Sequence, residues 1–323
     1  MFSTFLSELR GYLGKAFILA TWVPVLIFAS ASVAIYLAGN RSLGQAWQIW
    51  LNLTLGGQGM LTIEFLGIVT FIAFIFYSVQ IPVTQLFEGY WNRIPGLRIL
   101  EKKKREYYKR FLEKQDGRIQ QIADEVSSDG RPTKEQDARV NQLQYEVRSF
   151  PSLQEEEHIM ATRLGNIYKV AELYPLRRYG ADAVVIWPRL LSILPNEFAE
   201  RMVDAKITTD FLLLFALLSV LFSLMALIYL LVQGAAVFLV LLCLLGLPLG
   251  VLTYQCALVA AQDYADLIKV AFDLYRRSLL KALDLDIPST LAEEQQLWRQ
   301  LSAFLRHGES PKEPFTLQNS SPK

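Results

Sequence analysis

The sequence predicts an all-α integral membrane protein with four transmembrane helices and a cytoplasmic helical domain that is hairpin-like or coiled-coil-like. Three observations lead to this fold class: four long apolar runs, a highly charged central segment, and helix-capping signals within that segment. The apolar runs are Ala16–Ala38, Leu61–Phe87, Phe211–Val232 and Ala235–Ala261. Each reaches the roughly 20 residues that a helix needs to cross about 30 Å of hydrocarbon. Because lipid offers no partner to free backbone N–H and C=O groups, we expect all four runs to be helices.

The first apolar run predicts a transmembrane helix with a kink. Residues 1–15 carry apolar side chains at helical spacing, which predicts a short interfacial helix before it. Pro24 lacks the N–H that a helix interior needs, so we expect the kink there. Arg10, Lys15 and the triplet Ala29–Ala31 also resemble parts of a cleavable signal peptide. Because the apolar run continues past this triplet, a helix that is retained in the mature protein is favoured.

The second apolar run completes a membrane segment at residues 16–88 and carries a polar stripe. The glycines of Gly56–Gly59 are expected to form a flexible turn before the run. At about 100° per residue, four polar side chains of the run fall within about 40° of one another, and a fifth flanks them. The stripe consists of Thr70, Tyr77, Gln80, Thr84 and Glu88.

The polar stripe has two interpretations. Polar groups in a span can line a water-filled pathway, or they can form hydrogen bonds between helices, worth about 0.6 kcal/mol per contact. The second interpretation is favoured because Glu64 and Glu88 fall near opposite ends of the run, so that no charge lies at mid-bilayer. Ion-coupled pumps generally use an ionisable group at depth, so an active transporter is disfavoured.

The distribution of charge predicts the topology. Residues 89–209 hold 21 of the 32 Lys and Arg residues, whereas residues 39–60 hold one, Arg41. By the positive-inside rule, both termini and the central segment 89–209 are cytoplasmic, in a bacterial inner membrane or an equivalent membrane. A nucleic-acid-binding protein generally has a strong basic excess, and this chain has a net charge of +1. We therefore expect no nucleic-acid partner.

The central segment predicts a helical hairpin. Residues 97–126 are rich in charged helix formers, and a turn cluster follows at residues 128–132. Thr133 and Gln136 have the spacing of a capping box that opens a second helix, ending near residue 148. Two helices joined by a short turn are expected to run antiparallel.

The rest of the central segment predicts a further helix and an unusual apolar element. Ser152 and Glu155 have the spacing of another capping box, which opens a helix to about Leu173. Tyr174–Asn196 is apolar but interrupted by proline and glycine, and its core Ala183–Leu194, about 12 residues, is too short to cross a bilayer. It fits an interfacial or re-entrant element, and a buried segment of the cytoplasmic domain is an equally open alternative. In the interfacial interpretation the membrane anchors are Arg177, Arg178, Trp187 and Arg189.

Residues 210–261 predict a transmembrane hairpin. Its two helices are joined across Gln233–Gly234, which carries no charge. Gly246–Gly250 contains a proline between two glycines, so we expect a bend there. After the bend, no glycine or proline interrupts the chain until Pro288, which predicts a long continuous helix.

Residues 262–308 are expected to form the cytoplasmic extension of the fourth helix and a final helix. Asp273 and Arg277 have the i,i+4 spacing of a stabilising ion pair. The extension is apolar on several sides, so it must be covered by the central segment or by another subunit. A capping box at Thr290–Glu293 opens the final helix. The polar tail 309–323 is expected to be disordered.

The favoured function follows from the proportions of the chain, since about half of it is cytoplasmic helix and the runs lack buried charge. We expect a non-catalytic scaffold or regulatory subunit whose partners are the lipid bilayer and a second copy or another membrane or cytoplasmic protein. The alternative is an oligomeric ion channel or pore lined by the second transmembrane helix. A third hypothesis is a lipid-modifying enzyme that uses Asp182, Asp263 and Asp266. Because no known catalytic or metal-binding motif is convincing, we expect no catalysis, cofactor or metal.

Overall fold

The computed structural model of the chain describes residues 14–40, 42–93, 96–129, 131–234 and 237–308. All regular elements in these ranges are helical. The α-helices are α1 (Val23–Gly39), α2 (Leu43–Asn52), α3 (Leu55–Ser78), α4 (Gln80–Glu88), α5 (Leu97–Asp129), α6 (Lys134–Val147), α7 (Arg163–Tyr179), α8 (Ala183–Leu191), α9 (Asn196–Val232), α10 (Val237–Leu244), α11 (Gly246–Ala282) and α12 (Leu291–His307).

Four helical stretches in the described ranges are long and apolar enough to cross a membrane. They are Gly14–Gly39, Leu55–Ser78, Asn196–Val232 and Val237–Ala282. The predictions of an all-helical fold and of four helices of membrane-spanning length are therefore confirmed. The interfacial helix expected within residues 1–13 and the disordered tail expected at 309–323 lie outside the described residues.

The chain divides into two compact units. The first unit comprises Met1–Gln85 and Val203–Ala260, and the second comprises Leu86–Met202 and Ala261–Lys323. The helices α4, α9 and α11 each contribute residues to both units. The first unit contains most of the apolar runs, and the second contains most of the charged sequence.

The first membrane-length helix contains a π-helical turn next to its proline. Phe17–Trp22 is π-helical, and α1 follows with Pro24 in its first turn. The N–H of Val23 bonds the carbonyl of Ile18, five residues earlier, which is the π pattern. Pro24 cannot donate a helical hydrogen bond, so the altered turn lies where the sequence predicts a kink. The helices α1, α3 and α9 share a small buried core around it.

The second membrane-length helix begins earlier than the sequence predicts and is interrupted. Thr54 caps α3, because its Oγ1 accepts a hydrogen bond from the N–H of Gly57 at 3.2 Å. The predicted flexible turn at Gly56–Gly59 is therefore wrong, since these residues form the start of α3. The helix ends at Ser78 and α4 begins two residues later. Pro82 explains the break, because it lacks the N–H that would bond the Ser78 carbonyl.

The helices α9 and α11 approach closely within the first unit. A Cβ atom added at Gly246 would collide with the Ser223 hydroxyl and lie 3.0 Å from the Ser219 carbonyl oxygen. That hydroxyl donates a hydrogen bond to the Cys243 carbonyl at 2.6 Å. The interruption between α10 and α11 falls at Leu245, one residue before the predicted bend.

The predicted helical hairpin is present in the second unit as α5 and α6. Thr133 and Gln136 form the expected capping box, with the Gln136 N–H donating to Thr133 Oγ1 at 3.3 Å. The Thr133 N–H donates in return to Gln136 Oε1 at 2.9 Å. The buried Gln115 of α5 donates from Nε2 to the carboxylate of Glu146 in α6 at 2.9 Å. The hairpin prediction is confirmed.

The capping box predicted at Ser152 is wrong. The Ser152 hydroxyl caps no backbone N–H, and a 3₁₀-helix, Leu153–His158, follows it. The Glu155 carboxylate accepts hydrogen bonds from the guanidinium Nε of Arg177 at 2.8 Å and from the Ser152 hydroxyl at 3.3 Å. The next α-helix, α7, is capped by Thr162, whose hydroxyl accepts a backbone N–H at 3.0 Å.

The core of the second unit lies where α8, α11 and α12 meet. Phe272 of α11 and Trp298 of α12 are fully buried, together with Ile186 of α8. Ala271 and Leu280 bury further faces of α11 in the same cluster. The apolar extension of α11 is therefore covered by helices of its own chain. The sequence left open whether the same chain or another subunit would cover it.

Candidate functional site

Polar side chains of the first unit meet beside a small cavity. Asp210 of α9 forms an ion pair with Lys206, and Gln80 of α4 hydrogen-bonds the same carboxylate. The Asp210 side chain is only 9% exposed. Thr21 and Thr84 line the adjoining cavity, whose free space is about that of one water molecule. A buried carboxylate is tolerated when a cation and further hydrogen bonds compensate its lost hydration, and this arrangement provides both.

Thr70 and Tyr77 of the polar stripe contact the first membrane-length helix. The indole Nε1 of Trp22 donates to Thr70 Oγ1 at 3.0 Å, and Thr70 donates to the Leu66 carbonyl at 2.7 Å. Tyr77 packs edge-on against Phe17, with ring centroids 5.5 Å apart and an interplanar angle of 89°. Both side chains therefore take part in contacts between helices.

The break after Ser78 separates the members of the polar stripe. Thr70 and Tyr77 lie on α3, whereas Gln80 and Thr84 lie on α4 beside the cavity. Glu88 belongs to the second unit, where its backbone carbonyl lies against Gly165 at the start of α7. The structure thus brings Gln80 and Thr84 together with Asp210, and it does not gather all five stripe residues at one site.

Sequence reasoning missed Asp210 because the predicted third span begins one residue later, at Phe211. The helix α9 is continuous from Asn196, so Asp210 lies inside the helical stretch that is long enough to cross a membrane. The view that the spans lack buried charge is therefore incomplete. A usable signal was the i,i+4 spacing of Lys206 and Asp210 immediately before an apolar run.

The apolar element Tyr174–Asn196 packs into the core of the second unit. Ile186 and Leu190 are fully buried, and the half-buried Trp187 ring lies 6.0 Å from the Phe272 ring. Helical segments cover most of the element, with α8 formed by Ala183–Leu191. This packing favours the buried-segment interpretation over an interfacial element.

The three arginines predicted as membrane anchors make contacts within the second unit. Arg177 pairs with Glu155, and the Arg178 guanidinium lies 5.8 Å from the centroid of the Tyr174 ring. Arg189 donates from Nη1 to the Val185 carbonyl at 2.7 Å. Desolvation on burial lowers the pKa of the Arg177 guanidinium.

A fully buried carboxylate joins α11 to α12. Glu294 accepts hydrogen bonds from Arg276 Nε at 2.7 Å and from Arg277 Nη2 at 3.0 Å. Burial by itself raises the pKa of the Glu294 carboxyl group, but the two guanidinium groups outweigh it and hold the pKa below its ordinary value. The predicted i,i+4 pair between Asp273 and Arg277 is wrong, because Arg277 reaches across to Glu294.

Asp273 joins α11 to α7 through two tyrosines. It accepts hydrogen bonds from the hydroxyls of Tyr174 at 3.0 Å and Tyr179 at 2.6 Å. The guanidinium carbon of Arg276 lies 3.9 Å from the centroid of the Tyr179 ring. Burial, followed by the hydrogen bond to Asp273, raises the pKa of Tyr179 to about 12. This tyrosine therefore stays protonated near neutral pH and acts as a hydrogen-bond donor.

Two of the three carboxylates considered for enzymatic chemistry, Asp182 and Asp266, are engaged in separate contacts. Asp182 caps α8 by accepting the Val184 N–H at 3.1 Å, and it also pairs with Arg306. Asp266 pairs with Lys269 at 2.9 Å. Among the described residues, no group of three or more His, Cys, Asp and Glu side chains is arranged to hold a metal ion.

Comparison of the whole chain with protein families, with curated proteins and with solved structures finds no match.

Proposed function

We propose that this chain is a non-catalytic membrane protein that acts as a scaffold or regulatory subunit. In this proposal four helices anchor the chain in a bacterial inner membrane or an equivalent membrane, and both termini and the helical second unit are cytoplasmic. The second unit holds a membrane or cytoplasmic protein partner or a second copy of the chain.

The observation that carries the proposal is the use of polar side chains in helix–helix contacts. Thr70 binds Trp22, and Gln80 binds Asp210, so these groups are engaged by protein atoms. The space beside Asp210 is about that of one water molecule, which is far smaller than the several hundred Å³ of a typical ligand pocket. Such contacts hold helices together and leave little room for a substrate.

The polar network of the second unit gives further support. Glu294 and Asp273 engage arginine and tyrosine side chains, which link α7, α11 and α12. Buried charges that are fully paired suit a rigid platform, since breaking such a pair costs about 3–5 kcal/mol. A platform of this kind can present the long α5–α6 hairpin to a partner.

The test is ion flux through purified full-length protein in liposomes, with empty liposomes as the control. The proposal predicts no flux above the control at any applied voltage or ion gradient. It also predicts that the Asp210→Asn variant shows the same flux as the empty liposomes. A wild-type flux that Asp210→Asn abolishes would sink the scaffold proposal.

A second candidate function is an oligomeric channel that includes the second membrane-length helix. The observation that favours it is the buried carboxylate of Asp210 beside Gln80, Thr84 and a cavity, since buried ionisable groups in spans commonly mark ion pathways. In this hypothesis the cavity widens in an open state, and copies of the chain surround a common pore.

The channel hypothesis predicts that Thr70→Leu combined with Thr84→Leu changes conductance without loss of folding. Thr62→Leu is the matched control, because the exposed Thr62 hydroxyl bonds to the Gln58 carbonyl of its own helix at 2.8 Å. Single-channel recording with determination of subunit number on the same sample is the measurement. Equal conductance in all variants would exclude the proposed lining.

A further inference from the structure

The first half of α5 carries basic and apolar side chains on one exposed face. We call this face the basic stripe. It consists of Ile99, Leu100, Lys103, Lys104, Tyr107 and Lys114. At about 100° per residue, these side chains fall within about 70° of a common direction on the helix.

No acidic side chain in the first half of α5 points in the same direction as the basic stripe. The carboxylates of this part of α5 are Glu101, Glu106, Glu113 and Asp116. Each of them points about 90° or more away from the centre of the stripe. Arg110 lies toward the stripe's edge and its charge is compensated by Glu106 at 3.0 Å, so the net positive charge comes from the three lysines. The stripe is therefore a positive surface.

The stripe exposes apolar side chains that a soluble helix ordinarily buries. Ile99 is 67% exposed and Tyr107 is 61% exposed. The ammonium of Lys104 lies 5.7 Å from the centroid of the Tyr107 ring, which holds a cation next to the aromatic surface. The core-facing side of the same helix is different, since Leu112 and Gln115 are buried there.

Exposed apolar groups alternating with lysines match the surface of an anionic lipid layer. Phosphate headgroups attract the cations, and the apolar groups enter the boundary between headgroups and acyl chains. The stripe also lies close in sequence to a membrane-length helix, which suits a membrane partner. Eight residues separate Glu88 at the end of α4 from Leu97 at the start of α5, so the chain can reach no farther than about 30 Å.

We propose that the basic stripe of α5 binds the anionic headgroups of the membrane in which the protein is anchored, with Ile99, Leu100 and Tyr107 entering the interface. The proposal requires that the chain lies in a membrane, but it is independent of whether the chain is a scaffold or a channel. It gives the second unit a membrane contact that depends on lipid charge and ionic strength.

The test uses full-length protein in lipid nanodiscs, with Cys243→Ala, Cys256→Ala and Tyr107→Cys. An environment-sensitive fluorophore on the new cysteine reports entry into lipid. Nanodiscs of phosphatidylcholine with and without phosphatidylglycerol are compared. The expected result is blue-shifted emission and protection from an aqueous quencher in the anionic discs, both of which are reversed by high salt.

Charge reversal provides the matched comparison. Lys103→Glu with Lys114→Glu should weaken the bound state by at least about 25-fold, since each lysine lost weakens it about fivefold and the new carboxylates are repelled by anionic headgroups. Lys134→Glu with Arg139→Glu, at exposed positions of α6, makes the same change in net charge and should leave the emission unchanged. Equal emission in the two lipids, or an equal effect of both variant pairs, would overturn the proposal. A stripe that instead binds an acidic soluble protein would give equal emission in the two lipids.

Discussion

At the scale of single residues, the structure depends on charged and polar groups whose partners are distant in sequence. Glu294 is buried between Arg276 and Arg277, and Asp273 is held by Tyr174 and Tyr179. Each contact joins helices that the chain must first bring together. Such pairs are expected to govern the stability of the second unit.

Glu294→Gln should destabilise the second unit by about 3 kcal/mol, because it leaves two guanidinium groups without a compensating charge. Glu113→Gln is the control, since Glu113 is exposed on α5. The measurement is the free energy of unfolding from denaturant titration of the two variants and the wild type. Equal stability of both variants would contradict a structural role for the buried carboxylate.

The same substitution should change the dependence of stability on pH. The pKa of Glu294 is lower in the folded than in the unfolded protein, so its contribution is present above the ordinary value near 4.5 and is lost as the pH falls through the folded value. The difference between wild type and Glu294→Gln should therefore shrink below about pH 4.5. A difference that grows on acidification would contradict this assignment.

Tyr179→Phe should cost about 1.5–3 kcal/mol, because it removes a hydrogen bond to the carboxylate of Asp273. Tyr275→Phe is the matched control, since the Tyr275 ring packs edge-on against Phe198 at 5.4 Å. Denaturant titration measures both. Spectroscopic titration should also lose one tyrosine that ionises near pH 12 in the Tyr179→Phe variant, and loss of a tyrosine that ionises near pH 10 would contradict the buried environment.

Residue-level contacts were the hardest to predict from the sequence. The i,i+4 rule favoured Asp273 with Arg277, but that rule considers one helix, and Glu294 of another helix offers Arg277 a buried carboxylate. Asp210 was overlooked because the apolar run begins at Phe211 and does not show that the helix starts earlier, at Asn196. Partners set by tertiary packing cannot be read from spacing.

At the scale of helices, local chemistry explains where most elements begin and break. Capping boxes at Thr133 and Thr290 open α6 and α12 as the sequence predicts. Pro24 and Pro82 each accompany an irregular turn, because proline removes a backbone donor. The Ser152 box does not form, since the Ser152 hydroxyl donates to the Glu155 side chain and caps no backbone N–H.

Gly246→Ala should loosen the contact between α9 and α11, because a methyl group would collide with the Ser223 hydroxyl and crowd the Ser219 carbonyl. We expect a loss of about 1–3 kcal/mol, as for other overpacked sites. Gly59→Ala is the control, since a Cβ at this helical position meets no atom within 4 Å and should stabilise α3 by up to about 1 kcal/mol. Thermal unfolding in detergent is the measurement, and an unchanged or raised midpoint for Gly246→Ala would contradict the close approach.

At the scale of the whole molecule, hydropathy alone predicted the four membrane-length helices. Such helices follow from the length of the apolar runs and from the need to satisfy backbone hydrogen bonds. They can therefore be predicted without knowing the tertiary contacts. The packing of Tyr174–Asn196 was left open by the sequence, because short apolar segments suit a protein core and a membrane interface equally well. Its burial against Phe272 became evident from the structure.

The four-span arrangement with the helical second unit on the cytoplasmic side is the central claim. Its most direct test is labelling of single cysteines from either side of sealed membrane vesicles, in a Cys243→Ala and Cys256→Ala background. The exposed positions Gln45, Lys134 and Asp286 are each replaced by cysteine. The account predicts that positions 134 and 286 react from the cytoplasmic side and that position 45 reacts from the opposite side. Labelling of positions 45 and 134 from the same side would contradict it.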